Sequence, residues 1–166
     1  MLMAVLGDAH DHIWNLQKAL AMMQDAQVAL FLGDFCAPFT LKMLGEGFSG
    51  PIHAVFGNND GDIYLLLSIA GRMNHVNLHQ PICRLELDGR RIAAAHYPEV
   101  GEALARSGQY DAVFSGHTHY AKLETIGTTV WANPGEVMGR FGRPSFGVYD
   151  TATNRFELRE IPGGEE

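Results

Sequence analysis

The sequence predicts an α/β fold with two mixed β-sheets, and three observations carry that prediction. In the first half, short apolar runs alternate with apolar residues at helical spacing, the order of parallel strands joined by crossover helices. In the second half, Asp88-Gly89 separates two strand-like runs, and two later stretches repeat the hairpin pattern. Together these strands are too many for one small open sheet.

Taken in order, "LMAVLG" (Leu2 to Gly7) is a buried strand ending in a loop, and Ile13, Leu16, Leu20 and Met23 then mark a helix face. "VALFLGD" (Val28 to Asp34) is the second strand, followed by a helical stretch from about Phe39 to Gly45. "PIHAVFGN" (Pro51 to Asn58) is the third, and Ile63, Leu66, Leu67 and Ala70 mark the next helix face. "CRLELDGRRIAAAH" reads as a hairpin. Pro98 suits a first helical position, opening a helix that runs to Ser107-Gly108. "YDAVFSG" is another buried strand, and "AKLETIGTTVWANPG" and "PSFGVYDTATNRFELREI" are two more hairpins. "PGGEE" reads as a frayed tail. No linker, repeat or low-complexity segment interrupts the chain, so residues 1–166 are expected to form a single domain.

Composition narrows the function. A hydrophobic fraction of 46% and a charged fraction of 19% are those of a soluble globular protein. The net charge is −7 and the basic residues form no run, which disfavours a nucleic-acid partner held by charge. An anion must be drawn by something local. Cys36 and Cys83 belong to no paired-cysteine motif and are expected to be small buried hydrophobes in a reducing cytosol. The N-terminus lacks a basic start and meets Asp8 too early for a signal peptide, and no run approaches a membrane span. A cytoplasmic protein is expected, with homo-oligomerisation left open.

The ends of the strands carry the chemistry. The first ends in "GDAH" with Asp8 and His10, the second in "GD" with Asp34, and the third in "GN" with Asn58. The hairpin return ends in His96, and the later buried strand in "SGHTH" with His117 and His119. Each has an ordinary structural reading: a helix cap, a surface histidine pair, a core histidine. "VFGNNDGD" alone is a tight turn. Together they stand where open α/β sheets place ligand sites, and clustered carboxylates and imidazoles are costly to bury without a shared cation. Two carboxylates, an amide oxygen and four imidazoles form an N/O set without thiolate, suited to manganese, iron, nickel or zinc. The set is too large for one tetrahedral ion. It fits two divalent metal ions sharing a bridging carboxylate, the arrangement used for in-line attack at phosphorus. Two such ions against Asp8 and Asp34 leave a local positive charge that attracts phosphate.

In order, "GDAH", "GD", "GNND", the strand-end His96 and "GHTH" resemble the motifs of the calcineurin-like metallophosphoesterases, nearest to their small prokaryotic phosphodiesterases, and "NPGE" also looks like that branch. The resemblance runs over nearly the whole chain. It implies a four-layer α/β/β/α sandwich with a dinuclear site at one edge. One ion would be held by Asp8, His10, Asp34 and His119. Asp34 would bridge to a second ion, held also by Asn58, His96 and His117, so that Asp34, Asn58 and His10 count among the catalytic residues. A hydroxide between the ions would attack a small phosphate-ester substrate, with manganese the first expectation. Asp60 would orient a ligand or fix the loop.

Two departures bear on these expectations. Larger relatives often carry a histidine after the ligand asparagine, placed to protonate the leaving group; here it is Asn59, a poor acid, so easily expelled leaving groups are favoured. His12 or a metal-bound water could substitute in part. The residue after His96 is Tyr97 where the family usually has glycine, which reshapes access to the second ion and bears on His96 itself. Arg140 and Arg143 in "GRFGRP" could hold a phosphate or stand solvated. Tyr97, Phe35, Phe141 and these arginines are the candidate substrate rim. His53, His75 and His79 are expected to be structural or surface residues, and Trp14 and Trp131 core or rim. The main reading is a phosphodiesterase. The alternatives are a phosphomonoesterase, a dinucleoside-polyphosphate hydrolase or a metal-free scaffold; this chain keeps the carboxylate and late histidines that degenerate scaffolds lose.

Overall fold

Strand and helix alternate from the first residues: β1 (Leu2–Leu6), α1 (Ile13–Met22), β2 (Val28–Phe31), α2 (Pro38–Gly47), β3 (Ile52–Val55), α3 (Ile63–Ala70) and β4 (Val76–His79). The chain continues through β5 (Cys83–Leu87), β6 (Arg90–Ala95), α4 (Pro98–Arg106), β7 (Ala112–Ser115), β8 (Ala121–Ile126), β9 (Thr129–Pro134), β10 (Ser145–Asp150) and β11 (Arg155–Glu160). This computed structural model describes residues 1–163, so the last three residues of the expected "PGGEE" tail lie outside the described residues.

Local chemistry sets the helix starts. His12 caps α1, its Nδ1 accepting the Asn15 N–H at 3.2 Å, and Asp62 caps α3 through the Leu65 N–H at 3.0 Å. Pro38 and Pro98 stand in the first turns of α2 and α4, where a missing N–H costs nothing.

One sheet has the order β11-β10-β1-β2-β3-β4, with β1 to β4 parallel; the other has the order β5-β6-β7-β9-β8. Side-chain alternation builds four layers. On β1 and β2, Ala4, Leu6, Ala29 and Phe31 pack under α1 to α3, while Met3, Val5, Val28 and Leu30 face the second sheet. There Ile92, Ala94, Ala112, Phe114, Val130 and Ala132 meet them, and Ala93, Val113 and Trp131 turn outward to Ala105 of α4. The expected α/β/β/α sandwich with two mixed sheets is the architecture found.

Several expectations need correction. Strand β4 has no sequence counterpart: only Val76 of its four residues is buried, so pairing with β3 and not an apolar pattern makes it a strand. On α3 only Leu66 and Ala70 are buried, while Ile63 and Leu67 of the expected apolar face stay exposed. Cys83 is buried, but Cys36 is half-buried with Sγ 3.6 Å from His10 Nδ1. Phe35 is a core residue between Phe31 and Phe56, not rim. Trp131 is core, with Nε1–H on Ser115 Oγ, and Trp14 is exposed.

Candidate metal centre

The loops after β1, β2, β3, β6 and β7 converge on one edge where the two sheets meet, and they carry the seven candidate ligands. Asp8, His10, His117 and His119 have φ of 51°, 43°, 68° and 66°, and Asp34 has 57°, a left-handed conformation unusual for side-chain-bearing residues. Each such residue costs about 1–3 kcal/mol and persists only where surroundings over-determine it. The surroundings here are backbone hydrogen bonds: Asp8 N–H to Gly33 O at 3.0 Å and His10 N–H to Asp34 O at 2.9 Å lock the first two loops together. Glycines make the room. A Cβ at Gly57 would collide with Asp34 Oδ1 and lie 2.6 Å from Asp34 N, and one at Gly116 would lie 2.8 Å from Asp8 Oδ2.

Two donor groups result. In one, Asp8, His10 and His119 bring ligand atoms within 4.8 Å of one another; in the other, Asp34, His96 and His117 do so. Asp34 Oδ2 lies between them, 3.5 Å from His10 Nε2 and 3.6 Å from His96 Nε2. Asn58 Oδ1 joins the second group at 3.0 Å from His96 Nε2, with His117 Nδ1 3.2 Å away.

Neighbouring groups fix the tautomers. His96 Nδ1–H donates to Leu32 O at 2.7 Å, which turns the Nε2 lone pair toward Asn58 and Asp34. His119 Nδ1–H donates to buried Glu136 Oε2 at 2.6 Å, leaving Nε2 facing Asp8 Oδ1 at 3.7 Å. Glu136 Oε1 also accepts the Phe141 and Gly142 N–H groups, so one carboxylate holds both an imidazole and the following loop. Asp60 accepts from the N–H groups of Gly57, Cys36 and Asp34 at 2.6, 2.8 and 3.1 Å, tying the second loop to the third. Asn59 donates to Asp34 twice, from its N–H and its side-chain amide, each at 2.8 Å.

The electrostatics of this cluster fit a cation. Burial, reinforced by Asp34, pushes the Asp8 carboxyl up to about 8. Burial holds His10 and His96 below the usual imidazole range, so their contacts with Asp34 are not charged ion pairs. Asp60 is raised by burial, against the three N–H groups that favour its charged form. His10 Nε2 is buried without a hydrogen-bond partner among the described residues. Lone pairs from neutral nitrogens and oxygens thus point at common centres with little to donate to them, which a divalent ion resolves.

The remaining expected residues are distributed around this cluster. Tyr97 meets His96 and His117 edge-on, with centroids 5.1 and 5.0 Å apart. Phe141 meets His119 at 5.2 Å, and Arg140 lies over Phe141. Arg143 is not brought to the centre: it pairs with Glu160 of β11 at 2.9 Å. His12 is occupied as a helix cap through Nδ1. His75 bonds Gly45 O, and His53 and His79 bond each other. Sequence reasoning missed three supports. Glu136 stood in the noted "NPGE". Asn15 spans from α1 to the Val137 and Met138 carbonyls, and Asp11 accepts from Ala37 N and Thr40 Oγ1. A buried polar residue on an otherwise apolar helix face was the available signal for Asn15.

Comparison with known proteins gives a consistent picture. A sequence model described as the calcineurin-like phosphoesterase superfamily domain matches residues 1–154. The chain is similar to Phosphodiesterase MJ0936 of Methanocaldococcus jannaschii, with 34% identity over 97% of this chain and 98% of the relative. Among solved structures it resembles an archaeal phosphodiesterase at 29% identity and a TM-score of 0.89, covering 97% of this chain and 100% of that one. Vacuolar Protein Sorting 29 from Cryptosporidium parvum shares the fold alone, at 19% identity and a TM-score of 0.66 over 95% of each chain.

Proposed function

The chain belongs to the calcineurin-like phosphoesterase superfamily, and from that premise we propose that it is a dinuclear-metal phosphodiesterase acting on small phosphate diesters. The supporting observation is the position of Asp34 Oδ2 between two donor groups, 3.5 Å from His10 Nε2 and 3.6 Å from His96 Nε2. A carboxylate so placed suits bridging two ions. Asp8, His10 and His119 would complete one set of ligands, and Asn58, His96 and His117 the other. When bound, two divalent ions supply a nucleophile from water at neutral pH and neutralise charge developing on the phosphoryl oxygens.

The rest falls to the protein's own side chains. Glu136 and the Leu32 carbonyl keep His119 and His96 in the tautomers that present Nε2. Asn59 and Asp60 hold Asp34 and its loop, and the glycines admit them. Tyr97 and Phe141 wall the approach with aromatic edges, and Arg140 offers a cation beside Phe141. Asn59 is a poor acid committed to Asp34, and His12 spends Nδ1 on its cap, which leaves only Nε2 to serve in proton transfer. Substrates with easily expelled leaving oxygens are therefore favoured, and rates should fall steeply as the leaving group becomes more basic. The N/O ligand set suits manganese first, with nickel, iron or zinc as alternatives. The relative's name, phosphodiesterase, favours diesters. Among the described residues no helix is long and apolar enough to cross a membrane; a single catalytic domain in the cytoplasm completes the proposal.

The test compares bis-aryl and mono-aryl phosphates with manganese added. Faster diester turnover is expected. Faster monoester turnover would move the assignment to a phosphomonoesterase, and metal-free, inactive protein purified without chelator would move it to a scaffold.

A further inference from the structure

Two histidines stand where the fold calls for apolar residues. On β3 and β4, His53 pairs with Asn77 and Val55 with His79, so His53 and His79 share one face of the sheet. That face is the one Val55 uses to join the apolar layer between the sheets. The two imidazoles are half-buried at the margin of this layer, with His53 Nδ1 and His79 Nε2 3.0 Å apart. Beside them is buried Cys83, the first residue of β5, and one ligand atom from each of the three lies within 4.8 Å of the others. The phosphoesterase reading uses none of them.

We propose that His53, His79 and Cys83 form a separate metal site for a four-coordinate ion of the zinc class, with solvent as the fourth ligand. The donor set is two imidazole nitrogens and one sulfur, which suits zinc and disfavours manganese or magnesium. It differs in kind from the N/O set at the strand ends, which accepts manganese where this set disfavours it. Burial lowers both imidazoles, and His79 adds to this at His53, which keeps lone pairs available near neutral pH. Burial pushes the Cys83 thiol up to about 12, and binding releases that proton to solvent as the sulfur becomes a thiolate ligand.

The position gives the ion a structural task. Strand β4 ends one sheet and β5 ends the other, and only Gln80, Pro81 and Ile82 connect them. An ion held from β3, β4 and β5 clips this crossing and secures two edge strands at once. Without it, the same side chains are a hydrogen-bonded histidine pair beside an inert thiol, and the two alternatives differ in measurable ways.

The experiment titrates cobalt into the full chain already saturated with manganese. A thiolate-to-cobalt charge-transfer band is expected with one equivalent per chain. It should be lost in Cys83→Ser, His53→Gln and His79→Gln and kept in Cys36→Ser. Zinc should bleach it and raise the melting temperature of the wild type but not of His53→Gln. Phosphodiester hydrolysis with manganese should persist in His53→Gln, which separates failure of this site from failure of the phosphoesterase reading. Absence of a band, or a band that survives both histidine substitutions, would overturn the proposal. Should Cys83→Ser fail to fold, the histidine variants decide it.

Discussion

Asn59 and Glu136 carry the site's geometry at the residue scale, although neither points a ligand atom at an ion in the proposed scheme. Asn59 steers Asp34 with two donors, and Glu136 steers His119 with one oxygen while holding a loop with the other. Groups that orient metal ligands are typically worth 10–100-fold in affinity or activity. Glu136→Gln should therefore lower diester turnover by about 10–100-fold, checked by steady-state kinetics at saturating manganese; an unchanged rate would remove Glu136 from the scheme. Asp34→Asn should go further, halving metal content and abolishing turnover, because a neutral amide bridges two cations poorly. Unchanged metal content and turnover would sink the dinuclear reading altogether. These three residues also show how far the sequence could be read. Asp34 was legible because it follows a buried strand and a glycine. Asn59 stands out in the sequence only for not being histidine, and the hydrogen bond from its side-chain amide to Asp34 depends on how two distant loops fold together. Glu136 was hidden because His119 lies across a hairpin from it, and proximity of that kind leaves no local pattern.

At the scale of elements, the strand ends do more than display side chains. Each ligand loop closes against another through backbone hydrogen bonds, and the glycines beside Asp34 and Asp8 are needed at those closures. Gly57→Ala should push Asp34 aside; a misplacement of about 1 Å costs on the order of 100-fold in rate, while overpacking costs about 1–3 kcal/mol of stability. Kinetics and thermal melting on one preparation check both, and wild-type activity would show that the loop yields more easily than the close approach implies. Most elements were readable in advance because apolar spacing and caps agreed: α4 starts at Pro98, as expected, and ends at Arg106, just short of the expected Ser107-Gly108. β4 was not, since an edge strand with one buried residue has no periodicity to read. α3 was half-readable. Its apolar spacing is real, but the helix presents Ile63 and Leu67 to solvent instead of the core.

At the scale of the whole molecule, the same burial that organises the centre makes it unfavourable without ions. Asp8 is held protonated to about 8 by burial and Asp34, far above its unfolded value of 3.8. A raised acid contributes stability at low pH that is lost as pH climbs toward the folded value. His10 and His96 are shifted below 6.5, which acts in the opposite sense, but that effect is complete above pH 6.5. Between pH 6.5 and 8, Asp8 therefore dominates, and chelated protein should lose about 2 kcal/mol, or about 5 °C in melting temperature. Manganese-loaded protein should show no such fall. Melting curves at both pH values check this, and a chelated protein that gains stability over that interval would contradict it. The layered core was legible from strand count and alternation, whereas the convergence of five loops on one edge followed from sheet order, which no single stretch encodes. The left-handed backbone at Asp8, His10, Asp34, His117 and His119 has a consequence for anyone wishing to move this chemistry elsewhere. Grafting the side chains onto an unrelated sheet would bring the donors without the bends that aim them. A successful transplant would have to carry the glycine-flanked loops as units, and the smallest portable catalyst here is a set of turns.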